Sequence, residues 1–166
     1  MDFKLKNRHR LKSRDIRDLQ DELRGSFRDF EFRAGDSVEI ADLYEYKLIF
    51  VNDVPCFFSF EDKFFFTLVG LDKYKIDIGF VVVDMGAVGF VVNGADIMSP
   101  GIVDADDGIK EGGHVWVCDV NHRKPLAVGV ALISGVDMVC GGKGKAVRNV
   151  HYVGDRLWNF ISAKSL

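Results

Sequence analysis

The spacing of apolar side chains changes character several times along this chain, and each change predicts an element. Ile16, Leu19 and Leu23 recur at helical intervals behind Ser13, a candidate N-cap, and Gly25 follows as a stop. This predicts a helix over residues 13–24 whose outer face carries Arg14, Arg17, Asp18, Asp21 and Glu22. From Phe27 the period shortens to two: Phe30 and Phe32 alternate with Glu31 and Arg33, a strand pattern that Ala34-Gly35-Asp36-Ser37 turns. Further strands are predicted from Val38 to Leu43, from Lys47 to Val51 and from Cys56 to Phe60, with Asn52–Pro55 and Glu61–Lys63 as the turns between them. Phe64-Phe65-Phe66 then leads into a short helix over 67–74, and Tyr74–Gly79 reads as a connector between two halves, 1–78 and 79–166.

The second half is punctuated by glycine. Between Gly86 and Gly101 lie four glycines and one proline in sixteen residues, which predicts a tight turn, a short apolar strand, a glycine-gated turn of helix over 94–98 and a Pro-Gly stop. An acidic loop over 102–108 precedes strands over 114–120 and 126–134, the second with Gly129 inside it, where a strand must bend or be closely approached. One helical turn over 136–140, the basic loop Gly141-Gly142-Lys143-Gly144-Lys145, a last strand over 147–153 and a closing Gly154–Trp158 complete the pattern. Short strands separated by glycine turns describe a small β-barrel or pseudo-barrel.

Composition narrows this picture. At 166 residues and 48% apolar content the chain can bury one or two cores and is unlike a disordered polymer. The charged first seventeen residues lack the apolar stretch of a signal peptide, and the longest uncharged run, Pro125–Val136, is too short to span a bilayer. Cys56, Cys118 and Cys140 form no CxxC pair and read as small buried hydrophobes in a reducing cytoplasm. The crowded phenylalanines (Phe57, Phe58, Phe60, Phe64, Phe65, Phe66) do not alternate as exposed stacking rings would; they read as a core, with one or two rings available as a docking patch.

Charge is segregated. Residues 1–17 carry seven basic against two acidic side chains, residues 141–166 five against one, and the body between them is strongly acidic within an overall charge of −3. Such basic ends are either solvated termini or one anion-binding side on an otherwise acidic molecule.

Catalytic constellations are absent from the sequence. His9, His114, His122 and His151 share no metal-ligand spacing, no GxSxG elbow occurs, and Asp104-Ala105-Asp106-Asp107-Gly108 misses the calcium-loop register. Gly141–Lys145 lacks the spacing of a nucleotide phosphate loop. No enzyme activity, metal or cofactor is therefore expected. A helical turn at 94–98 would instead leave backbone N–H groups open to a phosphate or a base edge, with Asp96 as a rival that could cap the same groups. Lys143, Lys145 and Arg148 would supply neutralising charge from the end of the chain.

Four blocks carry a family resemblance: Val82–Ala87, Gly94-Ala95-Asp96-Ile97-Met98-Ser99-Pro100-Gly101, Gly142–Val147 and His151–Trp158. Together they resemble the PUA domain, named for pseudouridine synthase and archaeosine transglycosylase. The first half, with its basic helix, hairpin strands and Thr67-Leu68…Lys73-Tyr74 element, resembles the pre-PUA domain of the subgroup that includes the multiple-copies-in-T-cell-lymphoma oncoprotein and ligatin. The resemblance implies an α+β protein, an N-terminal α/β pre-PUA domain (1–78) followed by a C-terminal PUA pseudo-β-barrel (79–166). It implies non-catalytic RNA binding in the translation machinery, to the tRNA acceptor end or small-subunit rRNA. Implied partners are the small ribosomal subunit and an initiation-factor-like protein docked on the first half, with no membrane. The RNA surface so implied comprises Gly94, Ala95, Met98, Pro100 and Gly101, faced by Lys143, Lys145, Arg148 and His151, with Lys6, Arg8, Arg10 and Arg14 as a further basic patch. Two other roles remain: an accessory RNA-binding subunit of a tRNA- or rRNA-modifying enzyme, and a protein-interaction module using the Phe-rich half.

Overall fold

A computed structural model of the chain describes residues 4–164. Two compact units divide it: Lys75–Asn159 forms one, and the chain up to Tyr74 with the end from Phe160 forms the other. The architecture is α+β, as expected.

In the first unit five antiparallel strands follow one another across a sheet in chain order: β1 (Lys6–Arg10), β2 (Val38–Leu43), β3 (Tyr46–Val51), β4 (Val54–Phe60) and β5 (Lys63–Phe66). Strand β1 was expected as a basic lead-in. All five of its positions are exposed, so it carries no apolar alternation to betray it, yet it pairs with β2 through His9 opposite Ile40 and Arg10 opposite Glu39. Helix α1 (Ser13–Ser26) begins without a side-chain cap, so Ser13 lies inside it, and Gly25 does not stop it; the Phe27 N–H closes the last turn on the Leu23 carbonyl at 2.7 Å.

The strand expected around Phe30 and Phe32 is irregular backbone. The Phe32 N–H donates to Gln20 Oε1, and the Phe30 ring packs edge-on to Phe32, Phe57, Phe66 and Tyr74. The alternation there reflects aromatic packing without a β-ladder. The phenylalanine reading holds: Phe50, Phe57, Phe58 and Phe66 are fully buried, while Phe60 and Phe64 are half-buried. Helix α2 (Leu68–Tyr74) lies so close to β4 that a Cβ on Gly70 would meet the Cys56 carbonyl oxygen at 2.1 Å, so only glycine fits. Burial pushes the Cys56 thiol up to about 12, and Cys118 to about 11, as inert core groups. Cys140 departs from the expected burial: it is exposed, with Sγ donating to the Val136 carbonyl at 3.0 Å.

The second unit holds a six-stranded sheet ordered β7-β11-β10-β9-β6-β8, from β6 (Phe80–Val83), β7 (Ile97–Met98), β8 (Ile102–Ala105), β9 (His114–Asp119), β10 (Pro125–Ala131) and β11 (Lys145–Tyr152). All pairings are antiparallel except β6 with β9. Valines 81, 83, 115, 117 and 147 fill its core with Ile97, Ala127 and Met138.

Four expectations change here. Residues 85–91 form helix α3 (Met85–Val91), not a strand, because Asp84 accepts from the Ala87 N–H at 3.0 Å and caps it. The acidic loop opens as strand β8, paired to β6. Strand β10 ends at Ala131, since Ser134 caps helix α4 (Gly135–Met138). The chain closes with helix α5 (Arg156–Lys164), whose Leu157, Phe160 and Ile161 are buried. Gly129 behaves as anticipated: a Cβ there would meet the Arg148 carbonyl oxygen at 2.1 Å, beside a bulge in the β10–β11 ladder.

Candidate nucleic-acid interface

Strand β7 is only two residues long, yet it brings the glycine-rich segment and the end of the chain into one surface. Lys145 pairs with Met98 and Val147 with Ile97. The Ser99 N–H donates to the Gly144 carbonyl at 2.9 Å, so the basic loop is pinned against the Ser99-Pro100-Gly101 turn. On the other side, Asn149 of β11 reaches into the turn after α3, its Nδ2 donating to the carbonyls of Val91 (3.1 Å) and Ala95 (3.0 Å). The start of α3 is tied to the same wall, where the Asp84 N–H donates to the Gly101 carbonyl at 2.9 Å.

The helical turn expected at 94–98 is absent, and two of the N–H groups it would have left open are taken. The Gly94 N–H donates to the Val91 carbonyl and the Ala95 N–H to the Phe90 carbonyl, at 3.0 and 3.1 Å. Gly94 is needed for its backbone, with φ at +90° and the Tyr152 ring 2.9 Å from where a Cβ would sit. Asp96 does not cap this turn. Its carboxylate accepts from the Asn149 N–H at 3.0 Å and from Lys145 Nζ at 3.1 Å, stitching the turn to β11. Burial alone would raise that carboxyl; the Asn149 N–H and the Lys145 ammonium outweigh it and hold Asp96 below the usual carboxylate range.

The proposed contacts are thus partly gathered. Ala95, Met98 and Pro100 are exposed, Gly94 and Gly101 half-buried, and Lys143, Lys145 and Arg148 exposed on the adjoining loop and strand. His151 is a correction. Its side chain is 1% exposed, with Nδ1 2.9 Å from Asp155 Oδ2. Asp155 also accepts from the Tyr152 and Trp158 N–H groups, so this pair caps α5 and fixes the end of β11. The second basic patch lies in the other unit: Lys6, Arg8 and Arg10 on β1, Arg14 on α1. Arg8 is engaged there, its guanidinium on Glu39 and Asp53 and 4.2 Å from the centre of the Phe50 ring. Those two carboxylates raise its pKa further.

Sequence reasoning missed the most exposed aromatic ring near this surface. Phe90 is 70% exposed and Met85 47% exposed, both on α3. Read as a helix, Met85, Gly86, Gly89, Phe90 and Asn93 share one face, and all are exposed; reading 86–92 as turn and strand hid this. Gly89 has nothing within 4 Å of its missing Cβ, so packing does not require it, although glycine within a helix costs about 1 kcal/mol against alanine. The face is bare, uncharged and flanked by the Asn149 and Gly101 anchors. Such a face can stack a base and let a sugar-phosphate chain come close, while the lysines and Arg148 neutralise phosphate. Among the described residues no group of three His, Cys, Asp or Glu side chains could hold a metal ion.

Comparison with known proteins follows these two units. Residues 79–153 match the PUA domain, and residues 7–74 match a domain of unknown function, DUF1947. The chain is 43% identical to an uncharacterized protein of Methanocaldococcus jannaschii, over 95% of this chain and 99% of that one. It is 33% identical to translation machinery-associated protein 20 of Eremothecium gossypii, over 69% of this chain and 66% of the relative. To malignant T-cell-amplified sequence 1-B of Xenopus laevis it is 32% identical, over 78% and 74%. Among solved structures, a PUA domain from Aeropyrum pernix in complex with tartrate superposes with a TM-score of 0.88 at 29% identity, covering 96% of this chain and 92% of that one. A hypothetical protein from Pyrococcus horikoshii superposes at 0.83 with 35% identity, covering 93% and 99%.

Proposed function

Because the chain belongs to the family of PUA-domain proteins that includes malignant T-cell-amplified sequence 1 and translation machinery-associated protein 20, we propose that it is an RNA-binding protein of the translation machinery that performs no catalysis. It works in the cytoplasm and holds either the acceptor end of tRNA or small-subunit rRNA through residues 79–166, beside the small ribosomal subunit and an initiation-factor-like partner. The observation that carries this reading is the pinning of the basic loop to the glycine-rich wall, through Ser99–Gly144, Lys145–Met98 and Asp96–Lys145. Basic, apolar and backbone surfaces then meet along one edge, as a ligand with phosphates and bases requires. The contacts assigned are Ala95, Met98, Pro100, Lys143, Lys145 and Arg148, with Gly94 and Gly101 shaping the wall. Phe90 joins them and His151 leaves the set.

The division of labour is testable by salt titration. Phe90→Ala removes a stacking platform and weakens binding of single-stranded RNA by at least about fivefold, leaving the dependence on salt unchanged. Binding unaltered by this change, measured by fluorescence anisotropy across salt concentrations, would remove α3 from the RNA face.

A further inference from the structure

A second surface lies in the first unit, and its chemistry is opposite to that of the basic loop. The turn after β2 and the turn after β4 sit at the same end of the meander, and beside them opens a groove of about 530 Å³ lined by Glu45, Tyr46, Lys47, Ser59, Phe60, Glu61, Asp62 and Phe64. Its volume is that of a small ligand site. Three aromatic rings form its apolar wall; Tyr46, Phe60 and Phe64 are all half-buried. Three carboxylates line it against a single lysine, and the Lys47 ammonium reaches out to Asp42 at 3.1 Å, a residue outside the groove. Glu61 and Asp62 both adopt positive φ, 50° and 62°, where a two-residue hairpin favours Asn-Gly. The turn geometry resembles that of Asn52 and Asp53 after β3, which also adopt positive φ, 49° and 70°.

We propose that this groove docks an arginine-bearing peptide segment of a partner protein. A guanidinium stacks on aromatic faces and forks onto carboxylates, so rings rimmed by acids suit it better than an ammonium. The same carboxylates repel phosphate, which separates this surface from any nucleic-acid site. The proposal does not depend on the RNA reading above; it stands on the groove alone.

The test uses the full chain and a labelled peptide, Arg-Phe-Arg flanked by glycines, followed by fluorescence anisotropy and by amide chemical shifts. Binding is expected to move the resonances of Tyr46, Phe60 and Phe64 and to be tighter than that of a Lys-Phe-Lys peptide. Replacing Glu61→Asn together with Asp62→Gly gives the turn its preferred residues, so folding is preserved, and should weaken binding by about tenfold or more. Phe60→Ala, with an intact melting transition, should weaken it as well. Equal affinity of the Asn-Gly variant, equal binding of a Glu-Phe-Glu peptide, or no shifts at millimolar Arg-Phe-Arg each overturns the proposal. So does a single-stranded RNA that moves the same resonances and displaces the peptide.

Discussion

The two ends of the chain carry similar net charge, but the structure uses that charge differently. At the first end Arg8 is drawn onto Glu39 and Asp53 and laid over Phe50, with its side chain 29% exposed. Its charge is consumed in holding an edge strand that has no apolar side chain of its own. At the other end Lys145 keeps its side chain 62% exposed against one carboxylate, and Lys143 and Arg148 are exposed beside it. Counting basic residues would rank the two patches alike; the exposure and partners of Arg8 and Lys145 separate them. In the first stretch Arg8 works as structure; in the second, Lys145 keeps most of its side chain in solvent, and meeting an anion is the role proposed for it.

The sharpest way to break this contrast is to remove the second patch. Replacing Lys143, Lys145 and Arg148 together with alanine should weaken RNA binding about a hundredfold near physiological salt and lower the logarithmic salt slope by about three, since each phosphate contact contributes roughly fivefold there. Anisotropy titrations at several salt concentrations check both numbers. A variant that binds as before would place the anion site elsewhere. The first patch should respond in the opposite sense. Arg8→Met keeps the length over Phe50 but drops the charge, so RNA affinity and salt slope should hold while urea unfolding loses about 1 kcal/mol. A fall of one in the salt slope would show that Arg8 also meets phosphate.

Why the sequence betrayed some of this and not the rest follows from particular residues. The strands β2, β3 and β4 and the aromatic core were legible because burial on a pleated sheet leaves an apolar trace. Strand β1 left none, since it has no apolar side chain, and what ties it to β2 besides the ladder is polar: Asn7 on Asp42 and Arg8 on Glu39. Helix α3 was misread because Gly86, Gly89 and three valines look like a turned strand; the decisive signal was Asp84 as a cap, three residues before the Ala87 N–H it accepts from. That error had a cost for the site. Phe90 and Met85 fall on one exposed face only in the helical reading, so the most exposed aromatic beside the glycine-rich segment went unseen. His151 erred the other way: its place on the last strand suggested contact, but the ladder skips Val150 between Asn149 and His151, and the side chain is buried beside Asp155. What could not be read was the partner of Asp96, since Lys145 lies 49 residues away.

Asp96 also offers the finest test of the contrast, because it is what the second patch shares with the first: a carboxylate already on a base. In Asp96→Asn the side-chain oxygen can still accept from the Asn149 N–H, so the turn stays stitched, while Lys145 loses its counter-charge. RNA affinity should then rise about two- to fivefold and the salt slope should steepen by up to about one. Stability should move the other way by about 0.5 kcal/mol, a small cost because Lys145 is largely exposed. The acid dependence has a definite sign. Asp96 titrates lower in the folded protein than in the unfolded chain, so the wild type's advantage is complete above the unfolded carboxylate value of about 4 and fades as pH falls through the folded value. Urea melts of both proteins at neutral pH and near pH 3 should therefore converge at the acid end. If the variant gains no RNA affinity, the Lys145 ammonium does not reach phosphate, and the anion site rests on Lys143 and Arg148 alone.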